Sequence, residues 1–231
     1  MQILALFVGR SKRIAARSSN EWWDQPWESG IFKEAASGPV WLAYGGLQGD
    51  EQADRKNHGG PEKAVCAYPA AHYDYWRRRP GLADIPFGGF GENLTLGGAT
   101  ETQLCIGDRF KFDDAIVEIS QPRQPCWKLS RRWHVKDLKE QAEQTGFTGF
   151  YFRVVKHGWL RLGGVGVLLE RPCPEWNLAG CNEIMHKRLQ DFAAAQRLAQ
   201  CPQLSGSWKD TLFARARSLD KKWAGSEIAK T

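Results

Sequence analysis

The sequence predicts a mainly β fold, a barrel or a sandwich, followed by a small helical domain at the C-terminal end. Short segments rich in β-branched and aromatic residues recur through the first two-thirds of the 231 residues, bounded by Gly, Pro or Asp. Glycine pairs such as Gly59-Gly60 and Gly88-Gly89 punctuate them, and many short strands with glycine-rich turns are typical of barrels and sandwiches. After Glu170 glycine becomes sparse and helical patterning begins.

The segments predicted as strands are, in chain order, 3–8, 40–44, 64–68, 93–96, 109–112, 115–120, 149–155 and 165–170. Two helices interrupt them, over residues 71–79 and 135–144, and Pro80 and Gly146 end these helices. A stiff connector with two prolines, 171–174, leads to three more predicted helices at 178–187, 189–200 and 208–219. We therefore predict a β domain over residues 1–170 and a three-helix domain over residues 171–231.

The composition limits the kind of partner and the cellular compartment. A net charge of +6 suits an anionic partner, such as a phosphate-bearing cofactor or a nucleic acid. The basic residues are scattered, which weakens the case for a nucleic-acid surface despite the 11 tryptophans. The N-terminus lacks a signal-peptide pattern, and no apolar stretch approaches the ~20 residues that span a bilayer. We expect a cytoplasmic protein with reduced cysteines and no membrane contact.

Residues 120–129, SQPRQPCWKL, form the most informative stretch of the chain. A predicted strand runs into two prolines, which fix the backbone and present Cys126 rigidly at the strand end. Arg123 and Lys128 are close in sequence, and positive neighbours favour the thiolate, the form that binds metals or attacks a substrate. A free cysteine is commonly a small buried apolar residue instead, so both interpretations of Cys126 stay open at this point.

Three other stretches carry side chains suited to ligand binding. In HGGPEKAV, His58 and Lys63 flank glycines that let backbone N–H groups approach an anion. In FGENLT, Glu92 and Asn93 lie in a tight turn before a strand, and Lys33 lies in an earlier loop. Each stretch has an ordinary alternative, which is a surface turn with solvated side chains.

Taken in order, the motifs GLQGD (46–50), HGGPEKAV (58–65), FGENLT (90–95), IGD (106–108) and QPRQPCWKL (121–129) resemble the MOSC superfamily, and most closely its YiiM-like members. The resemblance implies a closed MOSC β-barrel with a few peripheral helices and a C-terminal three-helix domain. It also implies that Cys126 ligates the metal of a molybdenum cofactor, a molybdopterin. YiiM-like proteins are implicated in resistance to 6-N-hydroxylaminopurine, so the implied activity is detoxification by reduction of N-hydroxylated base analogues to amines.

Under this hypothesis, the pterin dithiolene and Cys126 hold the molybdenum, and basic residues bind the cofactor phosphate. The candidate cofactor-binding residues are Lys33, His58, Lys63, Asn93, Arg123, Cys126 and Arg153. His58 or Glu92 is expected to deliver a proton, and Asn93 to orient the pterin or the substrate. A purine is expected to stack on Trp127.

The electron source is expected outside the chain, because the sequence has no iron–sulfur motif and no G-x-G-x-x-G flavin fingerprint. We expect an external flavin or iron–sulfur reductase. The C-terminal helices are candidates for docking that reductase or a second subunit of a homodimer, although packing on the barrel is the simpler use. Three alternatives stay open: a persulfide carrier or sulfurase on Cys126, a cysteine hydrolase using Cys126 and His58, and a nucleic-acid-binding module.

Overall fold

The computed structural model describes residues 1–228, with side chains described as far as residue 217, and one large sheet dominates it. Its strands form where β-branched and aromatic residues turn toward the core. The eight strands lie side by side in the order Gly166–Glu170 (β13), Arg109–Phe112 (β9), Ala115–Pro122 (β10), Phe150–Lys156 (β11), Val65–Pro69 (β7), Leu94–Gly97 (β8), Gln2–Val8 (β1) and Glu34–Ala35 (β4).

Two smaller sheets complete the β structure. In one, Val40–Ala43 (β5) pairs with Gly158–Leu160 (β12) and with Gly46–Leu47 (β6). In the other, Lys12–Ile14 (β2) pairs with Trp27–Ser29 (β3). Except for β5, these strands and β4 were not predicted, because segments of two or three residues carry too little periodicity to be recognised.

The large sheet curls on itself without forming a complete barrel. Neighbouring strands are antiparallel, except that β7 and β8 run parallel. Strands β13 and β1 approach each other around an isolated bridge between Gln2 and Val165, beside backbone hydrogen bonds that join Ile3 to Gly163 and Gly164. The predicted closed barrel is therefore wrong. Along its length β13 pairs with β9, and a bridge rather than a ladder connects it to β1, so the sheet is a half-barrel.

The helices described within residues 1–228 are Arg55–His58 (α1), Tyr73–Trp76 (α2), Trp127–Trp133 (α3), Leu138–Thr145 (α4), Leu178–His186 (α5), Phe192–Ala199 (α6) and Gly206–Ile228 (α7). Single 3-10 turns at Pro61–Lys63 and Ala70–His72 precede β7 and α2. The predicted C-terminal helices are confirmed, whereas α1 and α3 were not predicted. None of these described helices has the length and apolar character to cross a membrane.

The sheet and the C-terminal helices share one cluster of buried apolar side chains. Phe150 and Phe152 of β11 pack edge to face in it, with ring centroids 5.2 Å apart. Leu178, Ala195 and Trp208, one from each C-terminal helix, belong to the same cluster. Because this core is continuous, we expect the sheet and the helices to unfold together, and the predicted boundary after residue 170 stays a prediction.

A second cluster, mainly aromatic, holds the loop that precedes β8. Phe90 stacks on Tyr68 with ring centroids 4.3 Å apart, and Trp76 donates from Nε1 to the Tyr68 hydroxyl at 2.6 Å. Burial raises the pKa of Tyr68, so its hydroxyl stays protonated and donates to the Phe147 carbonyl at 2.9 Å. This packing fixes the backbone that leads into Asn93.

We expect Trp208→Ala to lower the free energy of unfolding by about 3–5 kcal/mol, because the substitution opens a cavity in the shared core. Urea unfolding followed by circular dichroism and fluorescence should show one transition, shifted to a lower midpoint. Leu189→Ala is the control, since this side chain is 49% exposed and its loss should cost less than about 0.5 kcal/mol. Separate transitions for the helices and the sheet would contradict the shared core.

Candidate functional site

One cavity gathers most of the candidate residues. It encloses about 560 Å³ of space, including its open mouth. The exit of β10, the start of β11 and the loop before β8 line it together with segments near residues 30 and 50. Six of the nine candidates lie in its lining, namely Lys33, His58, Lys63, Asn93, Arg123 and Cys126, whereas Glu92, Trp127 and Arg153 do not.

Cys126 lies between the end of β10 and the start of α3. The backbone N–H of Arg123 donates to the Gly149 carbonyl at 2.9 Å, which ties the exit of β10 to β11. Pro125 then fixes the backbone angle directly before the cysteine. Cys126 is partly exposed, whereas the other five cysteines are buried. Its sulfur is therefore the thiol most accessible to a ligand in the cavity.

Arg123 places a buried positive charge beside the thiol. Its Nη1 donates to the Phe90 carbonyl at 2.6 Å. Burial lowers the pKa of Arg123, but the thiols of Cys66 and Cys126 and the phenol of Tyr151 act in the opposite direction, and the net pKa is raised. The guanidinium therefore stays protonated and stabilises negative charge that develops nearby.

Lys33 forms an ion pair with Asp50 in the cavity wall, and both side chains are buried. Asp50 also accepts from the backbone N–H of Gly9 at 3.0 Å and from the Gln52 amide at 3.2 Å. The Lys33 charge is thus already compensated by a carboxylate held in place by other donors. This geometry favours a role for Lys33 in shaping the cavity over the predicted phosphate contact.

Like Arg123, the lining residues Lys63 and Lys128 form no ion pair with the described side chains. The Lys63 ammonium donates to the Asn57 carbonyl at 2.7 Å, and burial lowers the pKa of Lys63. The Lys128 ammonium lies 5.8 Å from the ring centroid of Trp127. Together with Arg123, these two side chains offer donors to an anionic group in the cavity.

His58 ends helix α1 and lines the same cavity. Asp54 caps this helix by accepting from the Asn57 N–H at 3.0 Å, and its second oxygen lies 3.6 Å from His58 Nδ1. Burial lowers the pKa of His58 to about 4, with the charges of Arg123 and Lys128 acting in the same direction. Among the described residues, His58 Nδ1 is buried without a hydrogen-bond partner. The imidazole is therefore neutral at pH 7.

Asn93 lines the cavity, but its amide is already engaged with the backbone. Its Oδ1 accepts from the Cys66 N–H at 3.0 Å, and its Nδ2 donates to the Phe7 carbonyl at 3.2 Å. These bonds join β7 to β1 at the start of β8. The contacts favour a positioning role for Asn93 over a direct contact with pterin or substrate.

Glu92 is not among the residues that line the cavity. Its carboxylate is fully buried and accepts from the N–H groups of Gly88 at 2.8 Å and Phe90 at 3.1 Å. The hydroxyls of Tyr73 and Thr95 also donate to it. These contacts stabilise the loop before β8, and they do not favour the predicted delivery of a proton by Glu92.

Arg153 also lies outside the lining. Its Nη1 is 2.7 Å from a Glu118 oxygen, and its Nη2 is 3.1 Å from a Glu62 oxygen. Tyr151, two residues earlier on β11, is the residue of this strand that reaches the cavity. The predicted phosphate contact of Arg153 therefore has no support from this geometry.

Twelve lining residues were not candidates, and the four of them that matter most for the chemistry of the cavity are Asp50, Cys66, Lys128 and Tyr151. The sequence predicts a structural role for Cys66, which alternates within an apolar strand. Lys128 enters the sequence argument as a basic neighbour of Cys126. The sequence could have indicated Asp50 as a site residue, because it ends the GLQGD motif. Nothing in the sequence indicates Tyr151, since strands with aromatic residues are ordinary core elements.

The chain matches two family models in chain order. Residues 54–165 match the MOSC domain, and residues 176–216 match the YiiM-like, 3-alpha helix domain. The first match contains His58, Asn93 and Cys126, and the second covers α5, α6 and the beginning of α7.

Known proteins resemble the chain over most of its length. YflK of Bacillus subtilis is 42% identical over 195 residues, which cover 83% of this chain and 86% of YflK. A protein named Reductase from Gibberella moniliformis is 36% identical over 202 residues, or 84% of this chain and 35% of that protein. The crystal structure of YiiM from Geobacillus stearothermophilus superposes with a TM-score of 0.77 at 36% identity, covering 93% of this chain and 98% of that one. The chain therefore belongs to the MOSC-domain proteins of the YiiM type.

Proposed function

We propose that this chain is a molybdenum-cofactor-dependent reductase that converts N-hydroxylated compounds, such as N-hydroxylated purines, to amines. The observation that carries the proposal is the partly exposed thiol of Cys126 in a cavity shared with Lys63, Arg123 and Lys128. Membership of the MOSC family supports the cofactor, and the relative named Reductase supports redox chemistry.

The lining residues fit a cofactor that brings a phosphate and a metal with its own sulfur ligands. The three carboxylates of the lining each have partners of their own. Asp50 is paired with Lys33, Glu51 accepts from the Ser11 N–H at 3.1 Å, and Asp54 accepts two hydrogen bonds within its own helix. His58 Nδ1 is a buried nitrogen that a ligand could satisfy. Cys126 would supply the protein's sulfur ligand to the molybdenum, beside the sulfurs of the cofactor's dithiolene, and soft sulfur ligands suit such a centre.

When bound, the cofactor supplies two-electron chemistry at the metal. Cys126 holds that metal through Sγ, and the guanidinium of Arg123 stabilises the negative charge of the thiolate. Lys63 and Lys128 bind phosphate oxygens with charge-assisted hydrogen bonds. The mouth of the cavity is then left for the substrate.

The proposed reaction adds two electrons and two protons to the substrate: R–NHOH + 2 e⁻ + 2 H⁺ → R–NH₂ + H₂O. His58 is neutral at pH 7, so its imidazole accepts a hydrogen bond from the substrate or a water and orients the N–O bond. Trp127 is 50% exposed and adjoins Cys126 in the chain, so its indole offers a flat surface to a purine. An external reductase supplies the electrons.

Sulfur transfer is the alternative function, with a persulfide on Cys126 handing its outer sulfur to an acceptor. The observation that favours it is the second thiol in the cavity lining, Cys66. Both functions depend on the same accessible sulfur, and metal content separates them.

We expect Cys126→Ala to lose bound molybdenum and to reduce the reductase activity to background, because the metal loses its protein ligand. Elemental analysis, pterin fluorescence after oxidation, and assays with a reconstituted electron donor measure these effects. The protein should come from a host that makes the cofactor, and circular dichroism should show an unchanged fold.

Cys105→Ala is the matched control, since Cys105 is buried outside the cavity lining and its loss should leave the metal in place. Activity that survives in Cys126→Ala would refute the assignment. Wild-type protein without molybdenum, from a host that loads a known molybdoenzyme, would favour sulfur transfer.

We expect the His58 imidazole to titrate with a midpoint near pH 4 in the folded protein. Because this pKa lies below the ordinary value of 6.5, His58 favours the folded state above pH 6.5 and loses that contribution as the pH falls toward 4. NMR of the imidazole protons measures the midpoint, and the urea midpoint of His58→Gln should depend less on pH in this window. His157→Gln, an exposed control, should leave the titration unchanged. A midpoint near 6.5 would contradict the buried, electropositive environment.

A further inference from the structure

A second depression adjoins the cavity at Trp127, whose chain neighbours Cys126 and Lys128 line the cavity itself. We call it the outer groove, and it spans about 600 Å³, open solvent included. Its lining is aromatic and basic and consists of Trp22, Trp127, Ser130, Arg131, Lys136, Lys139 and Glu140. Three cations face one carboxylate, so the groove has an excess of positive charge.

Two of these cations are not compensated by the described side chains. Lys139 forms ion pairs with Glu143 at 3.1 Å and with Glu140 at 3.8 Å. Neither Arg131 nor Lys136 forms an ion pair with any side chain described in residues 1–217. The outer groove therefore presents two positive charges that an acidic partner can neutralise.

Both tryptophans of the groove are exposed, and Trp127 is held in place by its neighbours. The side chains of Trp127 and Trp22 are 50% and 40% exposed. The Arg131 guanidinium lies 4.7 Å from the ring centroid of Trp127, and the ring of Trp27 lies 5.6 Å from the same indole. An immobilised aromatic surface beside uncompensated cations provides both apolar contact and electrostatic steering for a partner.

We propose that the outer groove docks a small acidic, flavin-bearing electron carrier, which reduces the Cys126 site. This inference rests on the proposed function, since the reductase needs an electron donor. Carboxylates on the carrier would pair with Arg131 and Lys136, and charge complementarity of this kind accelerates association and fixes orientation. A reduced flavin balances the reaction: R–NHOH + FMNH₂ → R–NH₂ + H₂O + FMN.

The position and size of the groove favour an electron carrier over a nucleic acid. The groove begins one residue from Cys126, so a carrier seated there brings its flavin toward the cavity. Electron-transfer encounters typically bury small interfaces, which suits a groove with three cations. A single-stranded nucleic acid also stacks on aromatic side chains, but it needs a longer track of positive charge.

The test is a binding titration of the 231-residue chain with purified flavodoxin, which is a small acidic FMN protein, at low ionic strength. It needs neither bound cofactor nor turnover, so its outcome is separate from that of the proposed function. The double variant Arg131→Glu/Lys136→Glu should raise Kd at least about tenfold, and added salt should weaken wild-type binding.

Arg78→Glu/Lys111→Glu is the control, because both residues are exposed outside the groove and the change in net charge is the same. We expect it to raise Kd less than about threefold. Equal losses in the two variants, or no flavodoxin binding by the folded wild type, would overturn the proposal. So would tighter binding of single-stranded DNA than of flavodoxin, reduced by the groove variant.

Discussion

The buried residue Arg123 holds together the chain segments that form the cavity. The backbone N–H of Arg123 donates to the Gly149 carbonyl at the start of β11, and its guanidinium donates to the Phe90 carbonyl in the loop before β8. Cys126 lies three residues after Arg123, so the bonds of Arg123 also restrict the position of the thiol. A buried cation is costly unless its donors are satisfied. The carbonyl of Phe90 meets part of this requirement, and an anionic ligand in the cavity would meet more.

The polar groups of the cavity wall divide into those that build the wall and those that remain open to a ligand. Lys33 and Asp50 form an ion pair, and the amide of Asn93 forms hydrogen bonds with two backbone groups. Lys63 and Lys128 have no carboxylate partner among the described side chains. A buried polar network is stable when its members are hydrogen-bonded, so we expect the wall to be rigid. Lys63 and Lys128 remain available to bind an anion.

The sequence predicted the cavity residues best where all of the informative residues lie in one continuous segment. The prolines around Cys126 and its basic neighbours are local in the chain, and Cys126 indeed lines the cavity. Glu92 and Asn93 share a motif, but successive residues of an extended chain point to opposite sides. Asn93 faces the cavity while Glu92 turns into the aromatic cluster. Without a register, the sequence could not decide between them.

The same limit explains the errors at longer range. Tyr151 and Arg153 lie on the same face of β11, yet two residues move a side chain about 6.6 Å along a strand. Tyr151 reaches the cavity, and Arg153 meets Glu118 and Glu62 instead. The closed barrel failed in a similar way, because the pairing of β13 with β1 depends on twist summed over the sheet. A sequence pattern predicts which segments form strands, but it does not predict how far the resulting sheet closes.

Helix α3 connects the cavity to the surface, and its sequence shows how. Lys128 and Arg131 are three residues apart, so they project from neighbouring positions on one side of the helix. Lys128 lines the cavity and Arg131 lines the outer groove, with the Trp127 indole in contact with both cations. The carbonyls of Ile31 and Gly88 accept from Arg132 and anchor the helix from the adjacent position. Helix α3 thus places the charge of Lys128 at a site for a bound anion and the charge of Arg131 on a surface for an acidic partner.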